Sequence, residues 1–148
     1  MKVAFLSTFY PFRGGIAQFN ANLYEAMGRE HEVKAFTFTC QYPSLLFPGK
    51  TQYVTPNDRA KAVGSEALLS SVNPVTWISC ARRIAAWKPD VVIMKYWTGY
   101  LAPSLGSVAR MLRHRGIRVI AILDNVIPHE RHFFDAPLSR YFLSGIDG

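Results

Sequence analysis

Short apolar runs alternate with longer amphipathic segments along most of this chain. Residues 3–6, 91–94 and 117–123 are nearly continuous apolar runs of strand length, as is typical of parallel strands that are covered on both faces. Residues 32–39 alternate between polar and apolar positions and predict a further strand. Helix-length segments separate these strands, so the pattern predicts a parallel sheet with helices on both faces.

Four segments have the periodicity or the end signals of helices, namely residues 16–27, 74–87, 101–112 and 137–143. In the first helix, the predicted buried stripe is Ile16, Phe19, Leu23 and Met27; in the second it is Val75, Ile78, Ala81, Ile84 and Ala85. Asn73 and Pro74 suit the N-cap and the first position of the second helix, and Gly116 is expected to end the third. Between residues 40 and 72 the pattern loosens, and it predicts a long loop with one short strand at 52–55. The predicted fold class is α/β, a Rossmann-like three-layer α/β/α sandwich with a mostly parallel sheet.

A glycine corner joins the first strand to the first helix. Arg13, Gly14, Gly15 and Ile16 stand where the backbone must turn, and paired glycines allow a close approach to a bound group. The first amides of the helix lie at the positive end of its dipole, which suits a diphosphate or another anion. A simple strand-to-helix turn is the alternative explanation for the two glycines.

Ligands of such sheets gather at the carboxyl ends of the strands, so the loops that follow them are the candidate site. Residues 95–100 follow the central strand, and Tyr96, Trp97 and Thr98 are candidate acceptor contacts. Aromatic rings suit the apolar face of a sugar. Trp97 could equally fill the gap between sheet and helix.

The loop at residues 124–134 concentrates polar groups after the last strand. Asp124 stands directly at the strand tip, where a carboxylate can accept a ligand hydroxyl or a proton, and it is the candidate catalytic residue. Asn125, His129 and Glu130 are candidate acceptor contacts, whereas Arg131 and His132 are interpreted as surface groups.

Composition narrows the classes of protein. The 148 residues are 49% hydrophobic and 18% charged, as in globular proteins, and no apolar run approaches the roughly 20 residues that span a bilayer. Cys40 and Cys80 lie far apart without a metal-ligand spacing, which favours reduced thiols, and no secretory signal pattern begins the chain, so a cytoplasmic setting is expected. No metal or cofactor is predicted.

The net charge of +7 favours an anionic partner. Many of the basic residues stand toward the C-terminal ends of two predicted helices, where the negative end of the helix dipole already explains them. No nucleic-acid-binding motif accompanies them, so nucleic acid is not an expected partner. The GxGxxG, Walker and GxSxG motifs are absent as well, which disfavours a dinucleotide oxidoreductase, a nucleotide triphosphatase and an α/β-hydrolase.

Three segments together resemble the N-terminal domain of a family 4 (group 1) glycosyltransferase of the GT-B fold. They are Lys2-Val3-Ala4-Phe5-Leu6 with Tyr10-Pro11-Phe12-Arg13-Gly14-Gly15-Ile16-Ala17, then Lys88-Pro89-Asp90-Val91-Val92, and Asp124-Asn125-Val126-Ile127-Pro128-His129-Glu130. The resemblance covers nearly the whole chain. It implies an acceptor-binding domain, residues 1–148, that faces a second, nucleotide-sugar-binding domain across a cleft.

The resemblance also implies sugar transfer with retention at the anomeric carbon and without a metal. It places Gly14 and Gly15 beside the donor diphosphate and the acceptor. Asp124 departs from the family pattern, which often has a histidine at this strand tip to hold the donor sugar. The chain contains no nucleotide-sugar domain, so this half alone is expected to be inactive.

Two further expectations concern partners. Leu45, Leu46 and Phe47 lie near Lys50 and could attach the protein peripherally to an anionic membrane, or could tuck onto the core. A non-catalytic Rossmann-like module that binds anions or docks a partner is the alternative function.

Overall fold

A computed structural model describes residues 1–12, 14–42, 53, 61–124 and 135–148 of the chain. The strands are β1 (Lys2–Leu6), β2 (Glu32–Cys40), β3 (Ser65–Ser70), β4 (Val91–Tyr96) and β5 (Arg118–Leu123). The helices are α1 (Gly15–Gly28), α2 (Pro74–Ala86), α3 (Ala102–His114) and α4 (Asp135–Leu143), with a 3₁₀ turn at Gly99–Leu101 before α3. The described strands form one parallel sheet in the order β3-β2-β1-β4-β5.

Alternation along the strands divides the core into two layers. Val3 and Phe5 of β1 face α1, whereas Ala4 and Leu6 face the layer that contains α2, α3 and α4. Both faces of β1 are buried, which explains its continuous apolar sequence. The predicted Rossmann-like three-layer α/β/α sandwich is confirmed.

The predicted start of α2 and the predicted end of α3 are confirmed. The Asn73 side chain accepts a hydrogen bond from the Val75 amide at 3.1 Å, and Pro74 opens α2. Gly116 has a φ of 76° after α3, a left-handed conformation that glycine adopts without strain.

Two predicted helix faces are partly wrong. Phe19 of α1 is 45% exposed, and the buried residues of that helix are Ala17, Asn20 and Ala21. Val75 and Ile78 of α2 are exposed as well, whereas Ala81 and Ile84 are buried as predicted. Helix α1 packs closely on the sheet, so its contact face consists of small side chains and of one amide whose hydrogen bonds are satisfied. The spacing of large apolar residues in the sequence does not predict such a face.

The stretch expected to be a long loop contains strand β3. Its residues, Ser65–Ser70, are mixed in polarity because β3 is an edge strand with a half-exposed pattern. Most of the predicted strand at 52–55 lies outside the described residues, although Tyr53 forms an isolated antiparallel bridge with Phe12. Another difference is the length of β4, which continues through Lys95 and Tyr96.

An exposed ion-pair network holds the edge of the sheet to α2. Glu66 of β3 accepts two hydrogen bonds from Arg83, at 2.8 and 2.9 Å, and lies 2.8 Å from Lys34 of β2. These cations lower the pKa of Glu66 from 4.5 to about 2, chiefly through the hydrogen bonds from Arg83.

We expect Glu66→Gln to destabilise the fold at neutral pH by less than about 1 kcal/mol, because all three side chains are partly exposed. A depressed carboxyl pKa stabilises above the unfolded value, so the effect should shrink as the pH falls from about 4.5 towards 2. Urea unfolding at several pH values measures it, with the exposed Glu30→Gln as the control. An effect that did not depend on pH would contradict the network's role.

Candidate functional site

The parallel sheet brings the predicted loops to one edge. Thr8 follows β1, Tyr42 follows β2, Ser71 follows β3, Trp97 follows β4 and Asp124 follows β5. All five therefore lie at the carboxyl ends of neighbouring strands, which is the edge where ligands of such sheets bind.

The glycine corner is open. Gly14 has a φ of 117°, and a Cβ atom added to Gly14 or Gly15 would meet no atom of the described residues within 4 Å. The first hydrogen bond of α1 runs from the Gln18 amide to the Gly14 carbonyl at 3.2 Å, so the amides of Gly15, Ile16 and Ala17 have no partner within the helix. Gly14 supplies no side-chain cap. The corner can therefore present backbone donors to an anion.

Asn20 anchors the segment that leads into this corner. Its side-chain amide is buried and donates to Ser7 Oγ and to the Thr8 carbonyl, both at 2.9 Å. Both acceptors directly follow β1, so α1 is tied to the end of the central strand. A buried amide with satisfied donors holds its partners in one geometry.

A buried lysine lies at the same edge. Lys95 of β4 is only 4% exposed, and its Nζ atom is 2.9 Å from a carboxylate oxygen of Asp124, which is 39% exposed. The Asp124 amide donates to the Tyr96 carbonyl at 2.8 Å, so the β4–β5 ladder continues one residue further and fixes the position of Asp124. The pair has one nearly buried cation and one carboxylate that solvent can reach.

Phe19 connects the ion pair to the glycine corner. The Lys95 Nζ atom lies 3.8 Å from the centroid of the Phe19 ring, a cation–π contact. Phe19 is four residues after Gly15 and therefore lies on the same side of α1. The exposure of Phe19 is consistent with this place at an open edge instead of in the core.

Lys95 is not among the site residues predicted from the sequence. The signal was present, because β4 alternates faces and Lys95 lies on the α1 face with Val91 and Ile93. A single lysine at the end of an apolar strand must find a partner when it is buried. The apolar run ends at residue 94, so the sequence pattern predicts that Lys95 lies in the loop, whereas β4 continues to Tyr96.

Because side chains alternate between the two faces of β4, Tyr96 points to the face opposite Lys95 and does not lie at the open edge. Tyr96 is 3% exposed, its ring stacks on Phe142 of α4 at 4.3 Å, and its hydroxyl lies 3.1 Å from Ser139 Oγ. Burial is the main cause that raises the pKa of Tyr96. The structure places this candidate acceptor contact in the layer between sheet and α4. Thr98 caps the 3₁₀ turn by accepting from the Tyr100 amide.

Trp97 belongs to an aromatic cluster on the other side of the edge. Its indole N–H donates to the Tyr42 hydroxyl at 3.0 Å, and the rings of Tyr42 and Tyr100 lie 5.5 Å apart. Burial is the main cause that raises the pKa of Tyr42, so its phenol is protonated at neutral pH. Trp97 and Tyr100 are half-buried against the core, which fits the gap-filling interpretation while leaving part of each ring accessible.

Hydrogen bonds link the glycine side of the edge to the aromatic side. The Thr8 hydroxyl donates to Gln41 Oε1 at 2.6 Å, and the Ser71 hydroxyl donates to the Gln41 carbonyl at 2.7 Å. Ser71 Oγ also lies 3.5 Å from the Tyr100 hydroxyl. Together with the bond from Asn20 to Thr8, these contacts cross the ends of several strands. A largely buried network of polar groups therefore runs along this edge.

Four candidate residues, Arg13, Asn125, His129 and Glu130, lie outside the described residues, as does the apolar segment at 45–47. Within the described ranges, no three or more His, Cys, Asp or Glu side chains are grouped so as to hold a metal ion. None of the helices in the described part of the chain has the length and apolarity to cross a bilayer.

Comparison with models of known protein families finds no match for this chain, and a search of curated proteins finds none that is significantly similar.

Proposed function

We propose that this chain is the acceptor-side half of a retaining glycosyltransferase, which transfers a sugar from a nucleotide-sugar to a glycan or to a lipid-linked acceptor. The observation that carries the proposal is the proximity of two features at one sheet edge. The open corner of Gly14 and Gly15 begins the helix whose Phe19 contacts the buried Lys95, and Lys95 pairs with Asp124. A corner that binds an anion beside a carboxylate that accepts hydroxyls suits a sugar diphosphate.

The glycine corner would bind the diphosphate of the donor. The amides of Gly15 and Ile16 precede the first hydrogen bond of α1, and Gly14 and Gly15 put no Cβ atom in the way of a phosphate oxygen. Lys95 adds a positive charge at the same edge, in surroundings of low dielectric where its field is weakly screened.

Asp124 would accept hydrogen bonds from sugar hydroxyls. Its carboxylate is oriented by Lys95 and by the backbone bond to Tyr96, yet it is accessible to solvent. In the family that the chain resembles, a histidine often stands at this position and can donate a hydrogen bond to the donor sugar. Asp124 would instead accept a hydrogen bond from a sugar hydroxyl. A charged acceptor oriented by a buried cation is suited to positioning a sugar.

Trp97 is proposed to contact the acceptor. Its indole N–H already donates to Tyr42, so the polar group of the side chain is satisfied and the ring plane is held. A held ring can stack on the apolar face of a pyranose with little loss of side-chain entropy.

In the transfer, the bond between the anomeric carbon and the diphosphate oxygen breaks, and a bond from that carbon to the acceptor oxygen forms. The nucleoside diphosphate leaves with the bonding electrons, and the proton of the acceptor hydroxyl passes to its departing oxygen. The donor and acceptor must be held in near-attack geometry, which the resemblance assigns to two facing domains. We therefore propose a nucleotide-sugar-binding domain as the partner of this chain. We also propose a cytoplasmic location and a reaction that requires no metal.

We expect Gly15→Val to weaken diphosphate binding by about 10-fold or more, because a branched side chain would cover the amides that approach the phosphate. Gly15 has no positive φ, and no described residue would contact an added Cβ atom there, so the variant should fold normally. Chemical-shift titration of the 148-residue chain with UDP-glucose and with pyrophosphate measures the affinity. Saturation-transfer NMR against a sugar panel tests Trp97→Ala in the same way.

Gly64→Val is the matched control, since Gly64 is also exposed and also has open space, but precedes β3 at the opposite edge of the sheet. Equal affinities for Gly15→Val, Gly64→Val and the unmodified chain would contradict the proposal. Binding of pyrophosphate without any preference for the sugar nucleotide, and without sugar signals at Trp97, would favour the non-catalytic anion-binding module.

A further inference from the structure

A basic cavity lies at the amino edge of the sheet, away from the glycine corner. Its volume is about 470 Å³, and it lies between the end of α3, the start of β5 and the segment that follows α4. Arg110, Arg113, His114, Arg118 and Asp147 line it. The length of a six-residue strand separates the two edges, which is about 20 Å. This cavity and the carboxyl edge are therefore distinct places on the protein.

Arg110 is held in this cavity by uncharged groups. Its guanidinium donates to the carbonyl oxygens of Gly106 at 3.0 Å and Tyr141 at 2.6 Å, and to Ser144 Oγ at 2.5 Å. The guanidinium also lies 3.8 Å from the centre of the Tyr141 ring. These contacts orient the side chain without neutralising it, so its positive charge is available to a ligand.

The packing around Arg110 is tight. A Cβ atom at Gly145 would come within 2.8 Å of Arg110 Nη1, and a Cβ atom at Gly106 would come within 2.8 Å of the Tyr141 ring. Glycine at both positions allows the guanidinium to lie against the backbone of α3 and the turn after α4. The cation is therefore preorganised, which reduces the entropy cost of binding.

Arg113 and Arg118 are the other two arginines that line the cavity. Arg113 Nε lies 3.0 Å from Asp147, whose other oxygen accepts from the Val119 amide at 2.8 Å. Arg118 is exposed, and the structure shows no ion pair or hydrogen bond from its side chain to another described residue. Three arginines and one aspartate leave two positive charges in the cavity, even with His114 neutral.

The dipole of α3 does not account for this arrangement. Cations near a helix C-terminus are favourable, which explains Arg113 and His114 in the last turn. Arg118, however, begins β5 and lies outside the helix, and it extends the positive charge across the opening.

We propose that this cavity is a second anion site, which binds a phosphate monoester or diphosphate group together with part of the molecule that carries it. Guanidinium groups match phosphate in charge and in fork geometry, and a cavity of this size exceeds the needs of a bare ion. The phosphate could belong to a soluble metabolite or to a lipid headgroup, because both present the same chemistry.

The test is a chemical-shift titration of the 148-residue chain with glucose 1-phosphate and with pyrophosphate at low ionic strength. Saturable shifts are expected at the amides of residues 116–118, separately from any shifts at residues 15 and 16. Arg118→Gln should weaken binding at this site about 5-fold, since one cation is worth about that factor at a solvated site. Arg118→Lys should have an intermediate effect, because it keeps the charge and loses the fork.

Arg115→Gln is the matched control. Arg115 is equally exposed and donates to the Met111 carbonyl, but it does not line the cavity. Arg118 is an exposed residue at the start of a strand, so both variants should keep the circular dichroism spectrum of the unmodified chain. Equal weakening by the two glutamine variants, or an absence of saturable shifts at residues 116–118, would overturn the proposal.

Vesicles distinguish the two sources of phosphate. Co-sedimentation with phosphatidic acid vesicles, but not with pure phosphatidylcholine vesicles, would assign the site to a lipid if Arg118→Gln lowers it and Arg115→Gln does not. Saturable binding of glucose 1-phosphate without vesicle binding would assign it to a soluble ligand. Because residues 15 and 16 report on the other edge, failure of this site and failure of the proposed transferase function are distinguishable.

Discussion

Asp124→Ala is expected to lower the free energy of unfolding by about 3 kcal/mol, because it removes the carboxylate that pairs with the buried ammonium of Lys95. Lys95 is 4% exposed, so its ammonium is poorly hydrated in the folded chain and depends on the carboxylate for charge compensation. Urea unfolding at pH 7, followed by circular dichroism, measures the change.

The reciprocal variant should cost much less. Lys95→Met keeps the aliphatic volume, and the carboxylate of Asp124 is 39% exposed and can be hydrated, so we expect a loss of about 1 kcal/mol. The double variant should resemble Lys95→Met instead of adding both losses, since the buried charge is then absent.

The control for this cycle is Glu25→Ala, which breaks the exposed ion pair with Lys61 and should cost less than about 1 kcal/mol. Additive losses in the double variant, or a loss for Asp124→Ala no larger than for Glu25→Ala, would show that Lys95 does not depend on Asp124. The same variants also serve the ligand titrations. Lys95→Met keeps the carboxylate, whereas Asp124→Ala removes the proposed sugar contact.

Phe142→Ala is expected to destabilise the fold by about 4 kcal/mol. Phe142 is fully buried in α4, and its ring is nearly parallel to that of Tyr96, with 8° between the planes. Truncation removes apolar contacts and leaves a cavity between α4 and the sheet. Thermal or urea unfolding measures the loss.

Two neighbouring variants sharpen this result. Leu143→Ala lies on the same helix at a 37% exposed position and should cost about 1 kcal/mol or less. Tyr96→Phe removes only the hydroxyl contact with Ser139 and should also cost about 1 kcal/mol, without changing the binding of sugars. If Tyr96→Phe lost sugar binding, Tyr96 would be an acceptor contact, which would contradict its assignment to the packing between α4 and the sheet.

Much of the fold could be predicted from local signals. The apolar run of β1, the Asn73-Pro74 start of α2 and the Gly116 stop after α3 depend on interactions within a few residues, and each has the predicted structure. Parallel pairing followed from the alternation of strands and helices. The edge strand β3 was not predicted, because its polarity is set by its solvent-exposed position at the side of the sheet.

The position of the candidate site could be predicted from the sequence, but not all of the residues that form it. The carboxyl edge and the open glycines followed from the topology and from Gly14 and Gly15 themselves. The pairing of Lys95 with Asp124 required the β4–β5 register, which places Lys95 opposite Ile122 and Tyr96 opposite Leu123. A strand longer by two residues was enough to bury Tyr96 on one face and to bring Lys95 to the other.

The amino-acid order of this chain specifies the strands, the helix ends and the edge at which ligands should bind, because periodicity, caps and glycine conformations act over a few neighbouring residues. The partners of Asn20 and Lys95, the burial of Tyr96 and the basic cavity at the amino edge depend on residues that lie far apart in the sequence. Their contacts exist only once the register of the sheet and the packing of α1, α3 and α4 are set, since a shift of one residue would turn each strand side chain to the opposite face.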